Sequence, residues 1–333
     1  MAKIMVVGAG GWGTALGLMA HRYGHEVTLW SPFSEEIERL RRDQEHKKLL
    51  PGVPIPETVG LTTDLNEAAG ADLVIMAVPS FAVESTARSL QPILTADTVI
   101  ANAGKGLQED SLLRFSQVIS REVPQCSVVV LSGPSHAEEV ARGVPTTVVS
   151  ASQDMAAAQA GQQWLMNPRF RIYVNPDVIG VELGGALKNV IALAAGIVDG
   201  MQLGDNTKAA LMTRGLAEMA RLGVALGAKS ATFAGLSGMG DLVVTCGSMH
   251  SRNRRAGILI GQGFTAEQAV KQVGTVEGYL AARAAWRLAE QAGVDMPIVE
   301  QCYRICYEQR SAQEAIQTLM TRPRRLESDY SWQ

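Results

Sequence analysis

Residues 3–30 read KIMVVGAGGWGTALGLMAHRYGHEVTLW, and the order of apolar and glycine positions in them decides the fold. Ile4–Val7 is a continuous apolar run, and Gly8, Gly10 and Gly13 follow it in G-x-G-x-x-G spacing. A helical pattern then runs to Gly24, and Val27–Trp30 makes a second strand. In such a strand–turn–helix–strand unit each glycine has a task. One makes the tight turn, one opens the backbone to a pyrophosphate, and one lets helix and strand pack closely. The helix N-terminus adds oriented N–H groups for the phosphates. The stretch predicts a βαβ unit that binds a dinucleotide.

The acidic residue that commonly ends the second strand is missing. Ser31, Pro32 and Phe33 stand there instead, with neither a carboxylate for a ribose 2′-OH nor an arginine for a 2′-phosphate. Pro32 and Phe33 are expected to flank an adenine ring, the alternative for Phe33 being a place in the core. Glu35 and Glu36 fall in the following helix, where they mildly disfavour extra negative charge. On this basis NADH and NADPH are both expected to serve, with kcat/KM values within about tenfold.

Outward from this unit the alternation continues. Apolar runs recur at Leu73–Val78, Thr98–Ala101, Val128–Leu131, Thr146–Val149 and Arg171–Val174, separated by amphipathic segments. Several are unbroken Val/Ile/Leu blocks, as parallel strands covered on both faces require. An α/β doubly wound, Rossmann-like domain over residues 1–180 is therefore predicted. After Pro176 the strand signals fade, and residues 177–203, 205–227, 265–273, 277–292, 298–309 and 312–321 have helical patterns. They predict an all-α domain over residues 181–333.

A chain of 333 residues with net charge −3 has no global pull toward nucleic acid or an anionic membrane. Four scattered cysteines suit reduced thiols and not a disulfide framework. The chain opens directly on a strand-like run, so no signal peptide is expected. No run reaches the roughly 18 uninterrupted apolar residues of a membrane span. A cytoplasmic protein without stable membrane insertion, nucleic-acid partner or metal site is the expectation.

The candidate chemistry lies in three places. Strands ending near MAVPS (76–80), NAGKG (102–106) and SGPSHAEE (132–139) should open onto one crevice, because ligands of open α/β sheets bind at strand carboxyl ends. Lys105, between Gly104 and Gly106, brings a cation there. Second, Lys188 lies in ELGGALKNVIAL (182–193), a segment with almost no polar face. Its side chain leans over Gly184 and Gly185, three and four residues back, where a small ligand could approach. Burial and a second cation lower a lysine pKa toward neutrality, where it can exchange a proton with a carbonyl or alcohol oxygen. The alternative is that the glycines serve helix packing while Lys188 reaches solvent. Third, GMGDLVVTCGSMHSRNRR (238–255) sets Asp241 in a glycine-rich turn, Thr245 four residues on, and Ser251, Arg252 and Asn253 together. Hydroxyl, guanidinium and amide donors suit a phosphate dianion.

Taken together, GAGGWGTALG, AVPS, GKG, LSGPSHAEEV, NPDVIGVELGGALKNVIALAAGIVDG, NTKAALMTRGLAE, GLSGMGDLVVTC, HSRN and VEGY resemble the bacterial type of NAD(P)-dependent glycerol-3-phosphate dehydrogenase. The resemblance covers essentially the whole chain. It implies hydride transfer with NAD or NADP between dihydroxyacetone phosphate and sn-glycerol 3-phosphate, supplying phospholipid synthesis. It makes Lys188 the proton donor/acceptor. Lys105, Asn189, Asp241 and Thr245 surround the reacting carbonyl. Gly133, Ser135, Ser251, Arg252 and Asn253 contact substrate, and Gly11, Trp12, Ala137, Glu277 and Arg252 contact cofactor. Lys105, Ser31 and Phe33 join Gly8, Gly10 and Gly13 on the expected cofactor side, and a homodimer is the assembly expected. Two rivals remain: a dehydrogenase of another hydroxy acid, which would want a carboxylate clamp, and a non-catalytic dinucleotide sensor, which has no use for Lys188 with Asp241.

Overall fold

The computed structural model describes residues 1–324, 326 and 327. Contacts group Met1–Gly104 with Phe115–Val178, and Lys105–Arg114 with Ile179–Gln333.

The first unit is built on eight strands: β1 (Lys3–Val7), β2 (Glu26–Trp30), β3 (Gly60–Thr62), β4 (Leu73–Met76), β5 (Val99–Asn102), β6 (Ser127–Ser132), β7 (Thr146–Ala151) and β8 (Phe170–Asn175). They form one sheet in the order β3-β2-β1-β4-β5-β6-β7-β8. Its helices are α1 (Gly11–Arg22), α2 (Ser34–Asp43), α3 (Val83–Leu90), α4 (Phe115–Glu122), α5 (Ala137–Ala141) and α6 (Met155–Leu165). From β3 to β6 every neighbouring pair is parallel. This is the doubly wound arrangement that unbroken apolar strands predict, with β1 and β4 buried almost throughout. Each large aliphatic side chain sealed there is worth about 1.5–3 kcal/mol.

Two features differ from the expectation. The edge strand β3 is only three residues long and leaves no apolar run to notice. Strand β7 runs antiparallel to β6, while β7 and β8 are parallel to each other. The connection from β6 to β7 contains only the five-residue α5. A helix that short advances about 7.5 Å, well short of the roughly 20 Å of a six-residue strand, so it does not carry the chain back as a parallel crossover.

The second unit is helical: α7 (Val178–Gly200), α8 (Gly204–Ala225), α9 (Ser230–Phe233), α10 (Asp241–Gly247), α11 (Arg252–Gly261), α12 (Ala266–Val273), α13 (Glu277–Ala292), α14 (Pro297–Tyr307) and α15 (Ala312–Met320). Capping boxes start α12 at Thr265/Gln268 and α15 at Ser311/Glu314. Helices α9, α10 and α11 lie in a stretch that the sequence left without helices, because its glycines interrupt the apolar period. Asp241 is accordingly not in a glycine turn. It is the first residue of α10, directly after a π-helical turn at Leu236–Gly240.

Helix α7 is the axis of this unit, and 19 of its 23 residues are buried. By length and composition it could cross a bilayer, but 89% of its most apolar window is buried inside the protein. Its apolarity is therefore explained by the helices around it. Small residues let them approach: a Cβ at Gly196 would strike the Arg254 carbonyl, and one at Gly257 would strike the Leu193 carbonyl, so α7 and α11 touch backbone to backbone.

Residues 105–114, which the sequence places in the middle of the α/β half, pack with the helices. Leu107 and Leu112 are 6% and 7% exposed within the helical core. Arg114 forms a 2.6 Å ion pair with Glu182 of α7. Arg283 and Arg287 of α13 hold the Glu109 carboxylate and carbonyl at 2.6 and 3.0 Å.

Candidate active site

In the first unit the carboxyl ends of β1, β2, β4 and β5 are level, with Val7 paired to Trp30 and Met76, and Met76 to Asn102. The loops that follow them emerge along one edge. Gly8 turns there with φ +115°, where a side chain would meet the Ala77 carbonyl. At Gly13 a Cβ would strike the Gly8 carbonyl, so α1 starts hard against the strand end. Gly10 caps α1 without a side chain, and space is open beside it. The amides of Gly11, Trp12 and Gly13 thus form a helix N-terminus free of any side-chain cap. That is the donor set a pyrophosphate needs, and the turn fits a dinucleotide. The Trp12 indole donates to the Ala103 carbonyl at 3.1 Å, tying α1 to the loop after β5.

After β6, Gly133 has φ +137° and its carbonyl accepts from the Ser135 hydroxyl at 2.8 Å. Ala137 opens α5. At the end of β2, Phe33 is 68% exposed and so is not a core residue. Ser31, by contrast, is buried, and its hydroxyl donates to Glu36 Oε2 at 2.6 Å.

In the second unit α7 and α10 bring Lys188 and Asp241 together. Lys188 Nζ donates to Asp241 Oδ1 and to Thr245 Oγ1, both at 2.7 Å. Thr245 is fixed to receive that bond, because its own proton goes to the Asp241 carbonyl one turn back at 2.6 Å. Lys105 Nζ donates to the other Asp241 oxygen, Oδ2, at 2.7 Å. One carboxylate, 1% exposed, therefore lies between two ammonium groups. Lys188 commits two of its three N–H donors among the described residues.

Burial drives the Lys188 pKa down from 10.5 to about 8; Asp241 opposes the fall and the Lys105 charge adds to it. Burial alone would raise the Asp241 carboxyl. The charges of Lys105 and Lys188, with their hydrogen bonds, outweigh it and hold the group below its ordinary range.

Gly184 does not leave open backbone under Lys188. The Ser237 carbonyl lies 2.5 Å from where its Cβ would be, so that glycine serves packing against the π-helical turn. Asn189, beside Lys188 on α7, accepts from Asn253 Nδ2 at 2.9 Å, and Asn253 Oδ1 accepts from the Gly278 amide at 2.8 Å. This chain of bonds links α7, α11 and the start of α13, where Glu277 is the first residue. Ser251 caps α11, its hydroxyl accepting from the Arg254 amide at 3.2 Å, and Arg252 follows as an exposed first helical residue.

The structure thus joins Lys105, Lys188, Asp241 and Thr245 in one cluster, and Asn189 with Asn253 in another. Sequence reasoning gave Glu182 and Arg114 no role, and gave Glu36 only a mild repulsion of negative charge from the following helix, not its bond to Ser31. For Glu36 the signal was present, a serine at a strand end with a glutamate five residues on. For Arg114 and Glu182 none was, since 68 residues separate them.

A family model described as NAD-dependent glycerol-3-phosphate dehydrogenase N-terminus matches residues 3–158, and the corresponding C-terminus model matches residues 177–317. The glycerol-3-phosphate dehydrogenase (NAD(P)+) of Fusobacterium nucleatum is 49% identical over 336 residues, covering 100% of each chain. That of Moorella thermoacetica is 54% identical over 324 residues, 97% of this chain and 96% of its own. The crystal structure of glycerol-3-phosphate dehydrogenase from Coxiella burnetii superposes with a TM-score of 0.93 at 40% identity, over 96% of this chain and 99% of that one. With family models matching both halves of its length and full-length relatives about half identical to it, the chain belongs to the NAD-dependent glycerol-3-phosphate dehydrogenase family.

Proposed function

We propose that this protein interconverts dihydroxyacetone phosphate and sn-glycerol 3-phosphate with NAD(P)H, its first unit holding the cofactor and its second the reacting end of the substrate. The observation that carries the reading is Lys188, buried against Asp241 with a pKa of about 8 and one donor uncommitted among the described residues. A lysine solvated at the surface would hold its proton too tightly near neutral pH to serve both directions.

What bound NAD(P)H supplies is a hydride for the C2 carbonyl carbon of the substrate. The chain supplies the rest. The Lys188 ammonium gives its proton to the C2 oxygen as negative charge develops there, and the neutral amine takes it back in the oxidative direction. Asp241 holds Lys188 and Lys105 in register, and the two cations stabilise the developing alkoxide. Thr245 fixes the direction of the Lys188 amine. Asn189, Asn253, Ser251, Arg252, Gly133 and Ser135 bind the substrate, with Arg252 and Asn253 nearest its phosphate. Gly8, Gly10, Gly11, Trp12 and Gly13 take the pyrophosphate side of the cofactor; Ser31, Phe33, Lys105, Ala137, Glu277 and Arg252 take the remainder.

The reaction supplies glycerol 3-phosphate for phospholipid synthesis, in the cytoplasm, by a homodimer. Oxidation of NADH and of NADPH with dihydroxyacetone phosphate, and again with unphosphorylated dihydroxyacetone, tests the reading. Turnover of the phosphorylated ketone far above that of the unphosphorylated one is expected. Equal rates with both ketones, or none with either, would remove it.

A further inference from the structure

We propose that Glu36 selects between the two nicotinamide cofactors, accepting the hydroxyls of the adenosine ribose and repelling a 2′-phosphate, so that this chain prefers NADH. The inference rests on the reading that the glycine turn of the first unit holds NAD(P)H.

The acid missing from the end of β2 is delivered from the next helix. Glu36 belongs to the first turn of α2, yet Ser31, the residue that follows β2, donates to its Oε2 at 2.6 Å. The same serine oxygen accepts from the Phe33 amide at 3.3 Å, so the hydroxyl is oriented toward Glu36 by the backbone. The carboxylate therefore lies at the carboxyl end of β2, one strand from the end of β1. Gly8, whose amide bonds the Trp30 carbonyl at 3.0 Å, makes its turn there. A ribose diol beside a pyrophosphate on this turn falls next to the end of the second strand.

Charge supports the assignment. Glu36 Oε1 has His46 Nε2 as a neighbour at 3.8 Å, beyond hydrogen-bond reach, and that buried nitrogen has no other partner among the described residues. Burial lowers the His46 pKa, with Arg39 and Lys48 adding to the fall and Glu36 opposing it. The lowered pKa weakens the imidazole as a counter-charge for Glu36. A carboxylate with 21% of its side chain exposed and accepting capacity to spare can take a hydroxyl. It meets a 2′-phosphate, with about −1.5 to −2 charge, as a like charge.

Part of this geometry is structural. Thr62 at the end of β3 donates to Glu67 Oε1 at 2.6 Å, the same spacing at another helix start. Location separates the two, because β3 is the far edge of the sheet and β2 adjoins the glycine turn.

Equilibrium titration of the intact protein with NADH and with NADPH, followed by nucleotide fluorescence, tests the proposal for the wild type, Glu36→Gln and Ser31→Ala. The wild type is expected to bind NADH about tenfold or more tighter than NADPH. Glu36→Gln should move that ratio toward NADPH by about tenfold or more, and Ser31→Ala should move it less in the same direction. A wild-type preference for NADPH would mean that Arg39 and Lys48 dominate, and would overturn the proposal. An unchanged ratio in Glu36→Gln, or equal loss of both cofactors with a lowered Tm, would overturn it too by leaving Glu36 a purely structural role. Failure of the folded wild type to bind either nucleotide would instead sink the cofactor reading beneath it.

Discussion

Lys188 Nζ stands 2.7 Å from Asp241 Oδ1, with 7% and 1% of the two side chains exposed. A pair this deep is a poor way to gain stability, because each ion loses several kcal/mol of hydration. Its retention in the middle of an apolar helix makes chemical sense if the lysine must sit near its titration point and keep one orientation. Asp241 does both, since it offsets part of the burial cost and fixes the amine together with Thr245.

Replacing Lys188 with alanine should lower kcat by about 10²–10⁴, the range of a general acid–base group, while NADH still binds. Steady-state kinetics alongside a fluorescence titration checks both halves. A kcat within about threefold of wild type would take Lys188 out of the proton transfer.

The pH profile should carry the same residue. Lys188 gives a proton only as the ammonium, so kcat/KM for dihydroxyacetone phosphate reduction should fall as pH rises through about 8. Oxidation of glycerol 3-phosphate needs the neutral amine and should rise across the same interval. Profiles flat between about pH 7 and 9 in both directions would assign the titration elsewhere.

Asp241→Asn leaves two ammonium groups without their shared counter-charge. Breaking a buried pair costs about 3–5 kcal/mol, so Tm should drop by roughly 10 °C at pH 7. The loss should shrink above pH 8, where Lys188 sheds its proton. Scanning calorimetry at pH 7 and pH 9 measures it, and an unchanged Tm at pH 7 would show the cluster is not charged as described.

Glu218 makes a separate prediction about stability. Burial raises its pKa from 4.5 to about 8, against the amides of Ile298 and Val299, which donate to it at the start of α14. Because the folded pKa is the higher one, its stabilising contribution is complete below about pH 4.5 and is lost as pH rises through about 8. Glu218→Gln keeps an acceptor for the amides but cannot titrate. The wild-type Tm relative to this variant should therefore fall between pH 5 and pH 8, and a constant difference would contradict the raised pKa.

Arg252→Ala should reduce kcat/KM for dihydroxyacetone phosphate about ten- to a hundredfold, as loss of a charged contact does, and hurt unphosphorylated dihydroxyacetone much less. Equal losses on both ketones would give Arg252 a structural or cofactor role.

Local features were legible in the sequence. The Gly8–Gly13 turn, the unbroken strands and the long helices each declare themselves within a few residues, because backbone geometry sets their period. Direction and short elements were not. An apolar run has the same pattern whichever way it points, so β7 could not announce that it opposes β6, and the glycines of 234–247 hid α10 and the true setting of Asp241.

The βαβ unit, its glycine turn and the residue types available for proton transfer could be read from the sequence alone. Only the tertiary structure decided which charges share a hydrogen bond. Lys105 and Lys188 lie 136 and 53 residues from Asp241, and no periodicity in the chain encodes those distances. They meet because Leu107 and Leu112 bury themselves in the helical core and because Gly184 lets α7 approach the π-helical turn that leads into α10. Burial then fixes the protonation of Lys188, which depends on what surrounds an amine and not on its neighbours in sequence.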